Sequence, residues 1–185
     1  CHRNELKIIG DHNVQNALAA AAISYFSGIE AETIHESLLA FGGVPHRIEY
    51  CGEIGGVKFY NDSKGTNVDA AVIALKAIQK NILLIAGGDG KGQEFDELIE
   101  NFPGRVKHMI LLGRDGKLLA EAAERHGFKD YSFAPHMEEC VKNAFAMAKP
   151  GDTVLLSPAC ASWDMYDNFE QRGDHFKTCV KRLAE

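Results

Sequence analysis

From Val57 to the end of the chain, short apolar runs alternate with segments of helical period, and few folds accommodate that alternation. Strands are expected at Val57–Tyr60, Ile82–Ala86, Val106–Leu112, Tyr131–Phe133 and Thr153–Leu156. Helices are expected at Val68–Lys80, Phe95–Glu100, Lys117–His126, Met137–Ala148 and Gln171–Ala184. Strands of ~5 residues separated by helices of ~10 leave room for crossovers rather than hairpins. The prediction is an α/β fold: a Rossmann-like, mostly parallel sheet with helices on both faces. At 185 residues and 45% hydrophobic, the chain can bury such a core.

The first residues read differently. The run Leu6–Gly10 leads into a segment that Asp11 or Asn13 can cap as a helix, with Val14, Leu18, Ala21, Ala22 and Tyr25 or Phe26 as its apolar face. Gly28 ends that helix. A second helix, Glu32–Phe41, is expected to bury Ile34, Leu38 and Leu39 and to close at Gly42-Gly43. Pro45 biases Val44 towards an extended conformation, so Val44-Pro45 reads as a linker. His46-Arg47 then opens an expected strand at Ile48–Cys51, and Gly55-Gly56 turns the chain back. A boundary follows, with a mainly helical piece at 1–43 and the sheet domain at 44–185. Because the chain begins at Cys1, it is expected to be part of a longer protein.

Net charge is −6, and no basic face offers itself to a phosphate backbone, so nucleic acid is excluded as a partner class. No apolar run approaches the ~20 residues of a membrane span. The five cysteines form no C-x-x-C pair and suggest neither a disulfide framework nor a metal site, which fits a reducing cytoplasm.

Three polar clusters each follow an expected strand. The first is Asp62-Ser63-Lys64-Gly65-Thr66-Asn67, which launches the Val68 helix; turn and cap duty accounts for Asp62, Ser63 and Asn67 but not for the added Lys64 and Thr66. The second is Gly87–Gly92, reading GGDGKG. It fails the phosphate-loop pattern, because Gly92 stands where Ser or Thr is needed, and Gln93 breaks G-x-G-x-x-G. Lys91 remains as an anion anchor, since open α/β sheets bind ligands beyond the carboxyl ends of their strands. The third cluster, Ser157–Phe176, contains small residues around Ser162. Without G-x-S-x-G or a patterned histidine, neither Ser157 nor Ser162 reads as a covalent nucleophile, and Ser162 suits a hydrogen-bond donor better. Asp164, Asn168, Glu170, Gln171 and Arg172 are expected to hold the loop and cap the last helix.

NDSKGTN, GGDGK and SPACAS with its following NFEQRG resemble the Mur ligase family of peptidoglycan synthesis, in the wording of its D-glutamate-adding members. Gly65 departs from the usual alanine. The resemblance covers essentially the whole chain, but only about the last third of a full enzyme, with 1–43 as the tail of a central ATPase domain. It implies an ATP-dependent amide ligase that joins D-glutamate to UDP-N-acetylmuramoyl-L-alanine through an acyl phosphate, with Mg²⁺ assisting. It also implies roles: Asn13, His46, Arg47 and Asp62 towards the nucleotide, Lys64 in catalysis, and Thr66, Lys91, Ser162 and Phe169 on D-glutamate, with no metal ligand here. No G-x-x-x-x-G-K-[ST] occurs, so these residues alone are expected not to turn over. Two rivals stand beside this reading. A nucleotide-binding module of an NAD(P)-dependent oxidoreductase lacks its glycine fingerprint. A non-catalytic interaction module gives no reason for Lys64, Lys91 and Ser162 to meet.

Overall fold

The computed structural model describes every residue, Cys1–Glu185, and the chain divides into two units, Cys1–Val44 and Pro45–Glu185. In the first, a single 3-10 turn (Arg3–Glu5) precedes helices α1 (Asp11–Phe26) and α2 (Ala31–Ala40). Neither Asp11 nor Asn13 caps α1; Gly10 takes the cap position, and Asn13 lies in the first turn, donating from its side chain to the Ile9 carbonyl at 2.8 Å. The apolar face is also rotated from its expected position. Ala17 is the buried residue, with Val14 and Ala21 half-buried beside it, while Leu18, Tyr25 and Phe26 are exposed. Small side chains at Ala17 and Ala21 form the closer-packed stripe, and the bulkier stripe is left outside it. In α2, Ile34, Leu38 and Leu39 are half-buried rather than buried.

The second unit carries six strands: β1 (Glu49–Ile54), β2 (Val57–Asn61), β3 (Ile82–Gly87), β4 (Val106–Leu112), β5 (Tyr131–Phe133) and β6 (Thr153–Leu156). Their spatial order is β1-β2-β6-β3-β4-β5. β1 and β2 form an antiparallel hairpin, and every other pairing is parallel. The helices are α3 (Val68–Ile78), α4 (Asp96–Glu100), α5 (Gly116–Arg125), α6 (Met137–Met147) and α7 (Phe169–Arg182). The α/β fold class is therefore the expected one.

Alternate residues of each strand serve alternate cores, as the period of two requires. Leu84, Ala86, Met109, Leu111 and Leu155 face one side with Ala71 and Leu75 of α3, Leu98 of α4 and Leu119 of α5. Phe59, Leu83, Ile85, Ile110, Val154 and Leu156 face the other with Val141 of α6 and Phe176 and Val180 of α7. Each Leu, Ile, Val, Met or Phe among them contributes ~1.5–3 kcal/mol on burial, and the alanines less. Covering both faces is why Ile82–Ala86 reads as a continuous apolar run.

Two boundaries move for identifiable reasons. His46-Arg47 forms a turn rather than opening a strand, because His46 (φ 63°) and Ile48 (φ 45°) are left-handed, a conformation that a strand cannot contain; β1 begins at Glu49. The last helix starts at Phe169, before the expected Gln171, because Asn168 caps it: its side-chain oxygen accepts the Gln171 N–H at 2.7 Å.

Parallel register sets the carboxyl ends side by side. Asn61 pairs with Leu156, Ile85 also with Leu156, Gly87 with Leu112, and Leu111 with Phe133. The loops Asp62–Asn67, Gly88–Phe95, Gly113–Asp115 and Ser157–Asn168 thus leave the sheet along one rim.

Candidate functional site

Two of the rim loops, at Ser63 and at Cys160, are tied together by one buried side chain. Arg172 of α7, 2% exposed, donates to the Ser63 hydroxyl at 3.0 Å, the Ser63 carbonyl at 2.8 Å and the Cys160 carbonyl at 3.0 Å. The Ser63 hydroxyl in turn donates to the Phe169 carbonyl at 2.7 Å. A planar guanidinium presents its N–H donors in a rigid, spread fork, which matches acceptors on two separate loops better than a compact ammonium would. Burial lowers the Arg172 pKa to about 10, which leaves it charged at neutral pH. The sequence places Arg172 among the residues that hold this loop, but its position at the centre is not legible there.

Further bonds lock the second and third loops together. Asp89 and Ala161 exchange backbone hydrogen bonds at 2.9 and 2.8 Å, and Gly87 N–H donates to the Pro158 carbonyl at 2.9 Å. Gln93 donates from its side chain to the Ala159 carbonyl and accepts the Val68 N–H at 3.3 Å, joining all three loops. Asp164 accepts the Arg114 N–H at 2.8 Å, and Arg114 pairs with Asp89. Glycine is required at Gly87, whose φ is 119° and whose Cβ would be driven into the Leu112 carbonyl.

Asp62 lies beneath this rim, 6% exposed. One carboxylate oxygen accepts the Ile48 N–H at 3.2 Å and the other the Ser157 hydroxyl at 2.7 Å. Burial pushes its pKa up to about 7, against the pull of those two bonds and of Arg47 and Arg172. Gly65 sits against it. A Cβ there would stand 3.0 Å from the Ser157 hydroxyl and still closer to the Asp62 carboxylate, so glycine leaves that bond undisturbed.

The other singled-out residues fall as follows. Lys64 is half-buried, with its ammonium 3.9 Å above the centroid of the Phe169 ring, a cation–π contact. Thr66 is half-buried beside it, on the same loop, whose last residue Asn67 caps α3 through the Ala70 N–H at 2.9 Å. Lys91, left-handed at φ 54°, places its ammonium 4.9 Å from the ring of Trp163, the residue that follows the buried Ser162. His46 is buried: its ring meets the Asn61 amide at 3.0 Å and packs edge-on to Phe169 with centroids 5.9 Å apart. Its neighbour Arg47 is exposed. Asn13 belongs to the first unit. Only the structure gives Ser63, Gln93 and Trp163 their roles; in sequence Ser63 reads as a turn or cap residue and Gln93 as the residue that breaks a glycine pattern.

In this way Lys64, Thr66, Lys91, Ser162 and Phe169 stand along one rim, with Arg47 on the turn below. Cations and hydroxyls in that arrangement can bind an amino-dicarboxylate in an otherwise acidic protein. No three His, Cys, Asp or Glu side chains gather as a metal-holding group. No helix is long and apolar enough to cross a membrane.

Residues 46–160 match the family described as Mur ligase, glutamate ligase domain. A UDP-N-acetylmuramoylalanine–D-glutamate ligase of Thermoanaerobacter sp. is 53% identical over 181 residues, covering 97% of this chain and 40% of that protein. One from Pelotomaculum thermopropionicum is 47% identical over 185 residues, covering 100% of this chain and 41% of the relative. The chain thus spans about two-fifths of the length of these relatives. Among solved structures, UDP-N-acetylmuramate-alanine ligase from Thermotoga maritima superposes with a TM-score of 0.73 at 19% identity, covering 97% of this chain and 39% of that one. Mycobacterium tuberculosis folylpolyglutamate synthase complexed with ADP gives 0.70 at 16% identity, covering 92% and 41%. These two share the fold; nothing in the comparisons supports an oxidoreductase module. By the family match over most of its length, the chain belongs to the Mur ligase family, in its glutamate ligase domain.

Proposed function

We propose that this chain is the D-glutamate-holding part of an ATP-dependent amide ligase that extends UDP-N-acetylmuramoyl-L-alanine in peptidoglycan synthesis. The observation that supports it most is the meeting of three rim loops bearing Lys64, Thr66, Lys91 and Ser162, two of them bridged by the Arg172 guanidinium and the third joined to them through Gln93 and the Asp89–Ala161 bonds. The names of the relatives at 53% and 47% identity agree with it. The helical piece at 1–43 is assigned to the end of a central ATP-binding domain, and 44–185 to the glutamate-binding domain. Five free thiols suit a cytoplasmic location.

In this reading Lys91 pairs with a carboxylate of D-glutamate, Ser162 and Thr66 donate hydroxyl hydrogens to it, and Phe169 packs on its carbon chain. The incoming amine is thereby aimed at an acyl phosphate formed from ATP and the UDP-linked carboxylate, so the gain lies in positioning. Lys64, held over Phe169, neutralises charge developing on the departing phosphate. Exposed Arg47 reaches the nucleotide, with buried His46 fixing the turn that carries it; for Asn13, in the first unit, the nucleotide role rests on the family resemblance alone. Asp62 serves the ribose through the lone pairs its two present bonds leave free. The ATP phosphate cradle, and with it most of the Mg²⁺ coordination, is assigned to parts of the ligase outside these residues.

Lys91→Met in the full-length ligase should raise the KM for D-glutamate on the order of 10–100-fold while the KM for ATP stays within about twofold, the loss of one charge-assisted contact to the acceptor alone. An unchanged D-glutamate KM contradicts the assignment.

A further inference from the structure

We infer that Trp163 is a positioning residue for Lys91, its indole face holding the lysine ammonium at the rim where a ligand carboxylate is met. This inference rests on the D-glutamate reading above for its consequence, though not for the contact itself. Four observations carry it. Trp163 is the one tryptophan in the chain, and at 65% exposed it contributes little to the core. The Lys91 ammonium lies 4.9 Å from its ring centroid, within cation–π range, and has no carboxylate partner in the chain. Both side chains rise from loops fixed close by, because Asp89 and Ala161, each two residues earlier, are joined by reciprocal backbone bonds. Asp89 further accepts the Lys91 N–H at 2.9 Å, setting the left-handed turn from which the side chain departs.

A flexible four-carbon side chain on an exposed loop would otherwise sample many rotamers, and ordering it on binding opposes affinity. An indole face removes part of that cost without consuming the ammonium. The ring takes one side of the cation, and the N–H donors that point away from it remain for a carboxylate and for Ser162, the residue next to Trp163. A large exposed aromatic beside a ligand-binding serine then has a physical purpose.

Two measurements test the inference. In the 185-residue chain, Trp163 fluorescence should be quenched more strongly by iodide than in Lys91→Met, with acrylamide quenching the same in both, because a nearby ammonium concentrates the anion. Equal iodide quenching in the two proteins overturns the contact. In the full-length ligase, Trp163→Leu should raise the D-glutamate KM about 3–5-fold with kcat little changed, and Trp163→Phe should restore most of the loss because it keeps a π face. Equal KM values for Trp163→Leu and wild type, or no rescue by Phe, overturn the positioning role. Absence of any D-glutamate-dependent turnover by the wild-type ligase would instead remove the functional reading, and the iodide comparison would still decide whether the ring holds the cation.

Discussion

Replacing Arg172 with methionine should destabilise the chain by about 3 kcal/mol, more than any exposed change at the rim. The methionine fills a similar space but leaves the Ser63 and Cys160 carbonyls without the donors that now reach them at 2.8 and 3.0 Å. Relief from burying a cation offsets part of the loss, so the figure stays below that for three charge-assisted bonds taken separately. Arg172→Lys keeps the charge but not the fork, and should recover less than half of the difference. Urea unfolding at constant m-value measures both. A methionine variant within about 0.5 kcal/mol of wild type would remove Arg172 from the centre of the account. Because the same guanidinium ties the Ser63 loop to the Cys160 loop, loss of D-glutamate affinity should accompany the loss of stability.

Asp62→Asn should act in the opposite direction, stabilising the chain by about 2 kcal/mol at pH 8. Asparagine can keep both contacts, its oxygen accepting the Ile48 N–H and its amide donating to the Ser157 hydroxyl. It removes only the burden of a buried negative charge. In the folded chain the carboxyl titrates near pH 7, whereas its ordinary value is 3.8. Between those values the folded protein binds the extra proton, so the contribution from Asp62 is fully present below about pH 4 and is lost as pH rises through 7. The gap between variant and wild type should therefore be widest above pH 7 and shrink as the pH falls towards 4. Thermal or urea unfolding at pH 5 and pH 8 reads it; a gap that is constant with pH, or a variant less stable at pH 8, contradicts the burial argument. A carboxylate retained at such a site is what a functional need for charge predicts, since asparagine would hold the turn equally well.

The sheet was legible because its strands are local apolar runs: Val106–Leu112, Tyr131–Phe133 and Thr153–Leu156 coincide with β4, β5 and β6. Burial on both faces makes such runs stand out without any knowledge of their neighbours. The three rim clusters were legible for the related reason that ligand loops follow strand ends. What the sequence concealed depends on partners distant along the chain. Arg172 reads as one more polar residue at a helix start, and only the fold brings it to Ser63 and Cys160. His46-Arg47 looked extended because nothing local announces two left-handed residues; the Asp62 carboxylate and Glu49 hold that turn, through bonds to the Ile48 and His46 N–H groups. In α1, a 3.6-residue period marks two possible apolar stripes, and small Ala17 rather than large Leu18 occupies the buried one.

If three loops distant in sequence form one amino-acid site, as proposed above, D-glutamate titrated into the chain should produce saturable backbone amide NMR shifts concentrated at Thr66, Lys91, Ser162 and Phe169. The shifts should be weaker with L-glutamate and lost in Lys91→Met. Shifts confined to one loop, scattered over the surface, or indifferent to the Lys91 change would contradict it.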